Sequence, residues 1–127
     1  GFTVTRYNGT EGRIWEGKSG NWLSGHWNGN CPVAYHEGWL TDQGDRAGTS
    51  WIVTVDQYNY FRGYYNGTSY GGTGGSNSNS SYWCLNAGDR AEDSDWACYG
   101  FWYYNTTLGT SDRDQVVSYI KNLVGIS

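Results

Sequence analysis

The chain reads as an antiparallel β-sandwich closed by one short C-terminal α-helix, and three observations predict it. First, 8 Trp, 12 Tyr and 3 Phe outnumber the aliphatic residues, while 20 Gly against 1 Pro supply many turns. Aromatic and β-branched residues suit pleated, half-buried surfaces, and glycine punctuation at short intervals suits short strands. Second, SWIVTVDQYNY over residues 50–60 alternates as a strand, with Trp51, Val53 and Val55 on one face and Ile52 and Thr54 on the other. Third, the ending SDWACYGFWYYNTTLGTSDRDQVVSYIKNLVGIS reads as one long strand, a turn and the chain's one helix.

Taken in order, FTVTRY (2–7) alternates as a strand and Asn8-Gly9 has hairpin-turn chemistry. In residues 12–23, Ile14-Trp15 forms a short strand between glycine turns, and residues 24–30 are a Trp/Gly loop. VAYHEGWLT (33–41) is a strand placing Val33, Tyr35, Glu37 and Trp39 on one face, and residues 42–49 are a polar turn. Residues 61–68 form a hairpin tip ending in Asn66-Gly67. SYGGTGGSNSNSS (69–81) is low-complexity Gly/Ser/Asn with no side chains to build a core, hence an exposed flexible loop. Residues 82–86 form another strand, and an acidic turn leads into the strand over 95–104. The helix spans 111–125, with Thr110 or Ser111 as N-cap and Asp112 and Asp114 in the first turn, where exposed amides favour negative charge. Val116, Ile120, Leu123 and Val124 follow at helical spacing, Gly125 takes the left-handed C′ position, and Ile126 closes it.

The length supports a single domain, residues 1–127. A net charge of −4 argues against a nucleic-acid partner, since phosphates call for a basic face. No apolar run reaches membrane-spanning length and no signal peptide is evident, so the chain reads as a mature or excised piece.

Two features point outside the cell. Asn8, Asn66, Asn79 and Asn105 each head an Asn-X-Ser/Thr sequon, so covalent N-glycans are expected there. Cys31, Cys84 and Cys98 allow three different single disulfides. Cys84 and Cys98 flank the acidic turn, and two antiparallel strands joined there would set them opposite each other. That pair is the expected bridge, leaving Cys31 free or in an intermolecular bond.

The succession GRIWEG, NWLSGHWNGN, VAYHEGWLT, SWIVTVDQ, GGTGG, LNAGD, SDWA, YYN and VSYIKNLVGI resembles laminin-G-like, concanavalin A-like jelly-roll domains over nearly the whole chain. Its most specific part is the ending: an acidic-aromatic DWA segment, a tyrosine-rich strand, a short loop and a helix finishing in Gly-Ile. The resemblance implies several strands before FTVTRY, which this sequence lacks, so it implies an incomplete jelly roll with an apolar groove and an unpaired edge. Such a sandwich is completed by more of the same chain or by a strand from a neighbour, or it is simply small. Strand exchange between neighbours would make head-to-tail fibres.

Residue chemistry argues against catalysis. His26 and His36 are the two histidines, there is no HExxH or Cys/His ligand set, and no GxSxG. His36-Glu37 reads as a strand pair with one side chain packed and one solvated. Asp89, Glu92, Asp93 and Asp95 are either a weak Ca²⁺ site or a solvated turn. Trp22, His26, Trp27, Asn28, Asn30 and Trp39 have the composition of a sugar platform, rings for pyranose faces and amides for hydroxyls, and read equally as core. Trp15, Trp51, Trp83, Trp96 and Trp102 read as core. Two functions follow: a non-enzymatic structural or assembly module of an extracellular glycoprotein, self-associating as a fibre subunit, or a lectin-like carbohydrate-binding module.

Overall fold

The computed structural model describes residues 1–43, 46, 49–57, 59–74 and 83–127. Among them the chain forms nine strands and one helix: β1 (Phe2–Tyr7), β2 (Trp15–Gly17), β3 (Trp22–Trp27), β4 (Asn30–His36), β5 (Ile52–Gln57), β6 (Tyr60–Tyr65), β7 (Thr68–Thr73), β8 (Trp83–Leu85), β9 (Trp96–Trp102) and α1 (Thr110–Val124). A five-stranded sheet ordered β7-β6-β5-β1-β9 packs on a four-stranded sheet ordered β4-β3-β2-β8, with antiparallel pairing throughout. The predicted all-β sandwich with a single C-terminal helix is what forms.

Alternation in β1 and β5 decides which side chains meet which layer. Phe2 and Val4 of β1 and Val53 and Val55 of β5 point outward, where Val117 and Ile120 of α1 cover them to make the main apolar cluster. Each such side chain, once buried, contributes about 1.5–3 kcal/mol. The helix therefore lies on the outer face of the five-stranded sheet and does not cap one end of the sandwich.

Thr3, Thr5, Ile52, Thr54 and Asp56 point the other way, toward the second sheet. There the Thr3 and Thr54 hydroxyls share a hydrogen bond of 2.6 Å, and Ala34, Leu40 and Phe61 form a smaller apolar cluster. The sheets approach closely where β6 meets β4. A Cβ at Gly63 would overlap the Pro32 ring.

Several expectations are corrected. Residues 24–30 are a β-hairpin and not a loop: β3 and β4 pair through them, and Gly25 takes the positive φ of 95° at the irregular pairing before Trp27. The strand over 33–41 ends at His36, because Glu37 adopts φ 52°, and Trp39 meets Tyr35 only as an isolated bridge. Residues 69–73, expected within a flexible loop, pair with β6 together with Thr68; residues 75–82, including Asn79, lie outside the described residues. The β6–β7 turn is as expected, Asn66 and Gly67 both having positive φ (48° and 77°) as a two-residue hairpin turn requires. Asn8-Gly9 is no hairpin, since β1 pairs with β5 and β9 and the chain crosses there to the other sheet.

Helix α1 starts one residue early, with Gly109 as N-cap and no side-chain cap, and Asp112 alone is the acidic residue of its first turn. Its buried stripe is Arg113, Val117 and Ile120, with Val116 half-buried and Leu123 exposed. Gly125 is left-handed, and its N–H and that of Ile126 both bond the Lys121 carbonyl, closing the helix as predicted.

The Cys84–Cys98 disulfide is absent, and all three cysteines are unbonded. Cys84 sits on β8 opposite Glu16 and Cys98 on β9 opposite Thr5, so the two belong to different sheets and are not cross-strand neighbours. Burial pushes the Cys31 thiol up to about 12. Among the described strands β1 is flanked by β5 and β9, and the sheet edges are β7 and β9, β4 and β8.

Candidate functional site

A cleft of about 390 Å³ opens where strands from both sheets end. The start of β1 brings Gly1 and Phe2, β2 and β3 each begin with a tryptophan (Trp15, Trp22), and β8 begins with Trp83. His36 closes β4 and Asp56-Gln57 closes β5. Residues 103–108, leaving β9, form the remaining wall, held by a 3.2 Å hydrogen bond from the Gln57 amide to the Leu108 carbonyl.

Aromatic rings run round this cleft without a break. His36 stacks on Trp22 (centroids 5.2 Å, 20°), Trp22 meets Trp15 edge-on at 5.0 Å, Trp15 meets Trp83 at 6.1 Å, and Trp83 lies 5.8 Å from Tyr103. Phe101 buttresses both Trp15 and Trp83, and Tyr104 sits edge-on to Phe2. Such offset and edge-to-face contacts hold the rings without filling the space between them.

The buried side of the cleft is polar. His36 Nε2 donates to Asp56 Oδ2 at 3.0 Å, with both side chains almost wholly buried. The other ring nitrogen, His36 Nδ1, is buried with no hydrogen-bond partner among the described residues, as is Trp15 Nε1. The Asp56 backbone is pinned by Gly1: the Gly1 amino group donates to the Asp56 carbonyl, and the Asp56 N–H donates to the Gly1 carbonyl. None of the residues lining the cleft is Lys or Arg.

The predicted sugar platform is divided among three places. Trp22 joins the cleft. His26 is fully buried against Tyr7 (4.7 Å) with neither ring nitrogen partnered among the described residues, and burial pulls its pKa down to about 3. Trp27 packs on Trp39 at 5.2 Å and Trp39 on Tyr35 at 5.1 Å, a separate cluster. Asn28 occupies the β3–β4 turn at φ 47° and, with Trp27, borders a second cavity of about 440 Å³. Asn30, the first residue of β4, donates to the Asn28 carbonyl. Trp83, expected in the core, is 44 % exposed.

The acidic turn does not converge. Asp89 pairs with Lys18 at 2.8 Å, Glu92 with Arg13, and Asp95 accepts from the Thr10 N–H at 3.0 Å, which holds its carboxyl below the usual range. Asp93 borders the second cavity. No group of three or more metal-ligating side chains occurs among the described residues. Of the sequon asparagines, Asn8, Asn66 and Asn105 are exposed, and Asn105 lines the cleft.

Sequence reading missed Asp56, Gln57, Tyr103 and Tyr104 as site residues. The one available signal was parity: Asp56 continues the Ile52, Thr54 face of β5, so a carboxylate was bound to point between the sheets. No protein-family model matches the chain, and no curated protein or solved structure matches it, so the cleft is read from its own residues.

Proposed function

We propose that this chain is a non-enzymatic carbohydrate-binding module of an extracellular glycoprotein, seating a neutral sugar in the aromatic cleft. The carrying observation is the continuous run of rings from His36 through Trp22, Trp15 and Trp83 to Tyr103, bordering a cavity with a buried carboxylate on its inner side. Pyranose rings have apolar faces that stack on indole and phenol, and their hydroxyls need fixed acceptors and donors, which Asp56 and Gln57 supply. The cavity falls within the ~300–1,000 Å³ usual for small-ligand sites. No Lys or Arg side chain stands on its walls to pair with an acidic sugar, so neutral sugars are favoured.

A glycan array probed with chain freed of N-glycans tests this reading. Saturable binding to a neutral glycan is expected, weakened at least about tenfold by Trp83→Ala, the order of one lost stacking contact. Absence of saturable binding, or binding indifferent to both Trp83→Ala and Trp22→Ala, would overturn it.

An assembly role is the second reading, favoured by one observation. Trp83, Tyr99 and Tyr103 are exposed on or beside the edge strands β8 and β9, which lie against each other through the Trp83–Phe101 contact. A neighbouring chain bound there would cover rings that a lone monomer leaves wet. A monodisperse monomer in light scattering at high concentration would remove it.

A further inference from the structure

We infer that Asn105 carries an N-linked glycan whose first N-acetylglucosamine lies against Tyr103 and Trp83 and covers the mouth of the cleft. Asn105-Thr106-Thr107 is a sequon with threonine in its third position, on the irregular stretch between β9 and α1. All three of its residues line the cleft, Asn105 is exposed, and Tyr103, two residues earlier, lines the same cleft and is 61 % exposed. Its ring stands 5.8 Å from the exposed Trp83 ring, so a two-ring platform waits beside the attachment point. A sugar tethered there needs no further loss of translational freedom to stack, because its effective concentration at the platform is already high.

Asn66 makes a useful contrast. It too follows a tyrosine by two residues, but Tyr64 is half-buried under Lys121, whose ammonium lies 4.9 Å from the ring centroid, so no free platform faces a glycan there.

The modification is a group transfer from a lipid-linked oligosaccharyl diphosphate, made in trans. The Asn105 Nδ2–C1 bond forms as the C1–O bond breaks, the lipid diphosphate leaves with the electron pair, and Nδ2 gives up one proton. This inference rests on the extracellular part of the reading above, and not on the cleft binding free sugar.

The test secretes the 127-residue chain from N-glycosylating cells and maps its glycopeptides. Acrylamide quenching of tryptophan fluorescence is then compared before and after enzymatic release of the glycans. Asn105 is expected to be occupied, and release is expected to raise the quenching. That rise should be missing from Asn105→Gln, which keeps the other sequons, missing from Trp83→Phe, and reduced in Tyr103→Ala. An unmodified Asn105 overturns the inference, as does quenching unchanged by release or a rise that Trp83→Phe leaves intact. A silent glycan array with this signal present would sink only the free-sugar reading.

Discussion

The five-stranded sheet has two unlike faces, although both are written into the same strands. Outward, Phe2, Val4, Val53 and Val55 meet Val117 and Ile120 in a mainly apolar layer made by the helix, whose third buried residue, Arg113, lies over the Tyr60 ring at 3.8 Å. Inward, Thr3, Thr54, Asp56 and, from the second sheet, His26 and His36 lie in a buried layer where the Thr3–Thr54 hydroxyls and the His36–Asp56 pair are hydrogen-bonded and other polar atoms have no partner among the described residues. Dispersion and dehydration dominate the outer layer, whereas the many polar groups of the inner layer must be satisfied atom by atom. The buried polar chemistry thus lies mainly between the sheets, where the cleft opens, alongside apolar side chains such as Ile52, Leu23 and Phe61.

The strongest way to break this contrast is acid. His26 binds a proton only near pH 3 in the folded chain, against 6.5 when unfolded. Between those values the unfolded state takes up a proton that the fold refuses, so stability falls as pH drops, by about 4–5 kcal/mol over the whole window at about 1.4 kcal/mol per unit. His26→Leu should flatten that acid limb in urea melts run from pH 7 to pH 3; an unchanged slope would mean that His26 is not held neutral.

Ile120→Ala strikes the outer layer instead. It should lower the unfolding free energy by about 3 kcal/mol without altering sugar binding, since no residue of α1 lines the cleft. A loss under about 1 kcal/mol would show that the helix is not what seals this face.

Neighbouring residues of β5 sharpen the comparison further. Val53→Thr places an unpartnered hydroxyl in the apolar layer and should cost about 2 kcal/mol. Thr54→Val, one residue along on the other face, strands only the Thr3 hydroxyl and should cost about 1 kcal/mol. Chemical denaturation of the pair tests the order, and equal losses would erase the distinction between faces.

Which parts of this were readable beforehand follows from where the information resides. Strand β5 carries its alternation locally, Asn66-Gly67 can hardly be anything but a tight turn, and Gly125 ends the helix through its own backbone freedom. Residues 69–73 deceived because backbone pairing needs no side chains: Gly71 lies so close to the Phe61 carbonyl of β6 that a Cβ there would collide with it. Glycine marked close approach at Gly71 where it was taken for a loop, whereas Gly25 is required by its φ of 95°, a Cβ there meeting only ordinary contacts. Cys84 and Cys98 are close in sequence but fall in different sheets, a matter of topology that spacing does not encode.

For the site, Trp22 was readable as an aromatic among amides. Trp83, Asp56 and Tyr103 were not, because their convergence is set by where β8, β5 and β9 stop relative to one another.

The central place of β1 bears on how the chain finds its structure. Phe2 pairs with Val55 on one side and Trp102 on the other, 53 and 100 residues away. Hairpins such as β3–β4 and β6–β7 close short loops, but β1 can be seated only after most of the polypeptide exists, and the entropy of closing those long loops falls on that one step. A ribosome would release the first strand long before its second partner is made.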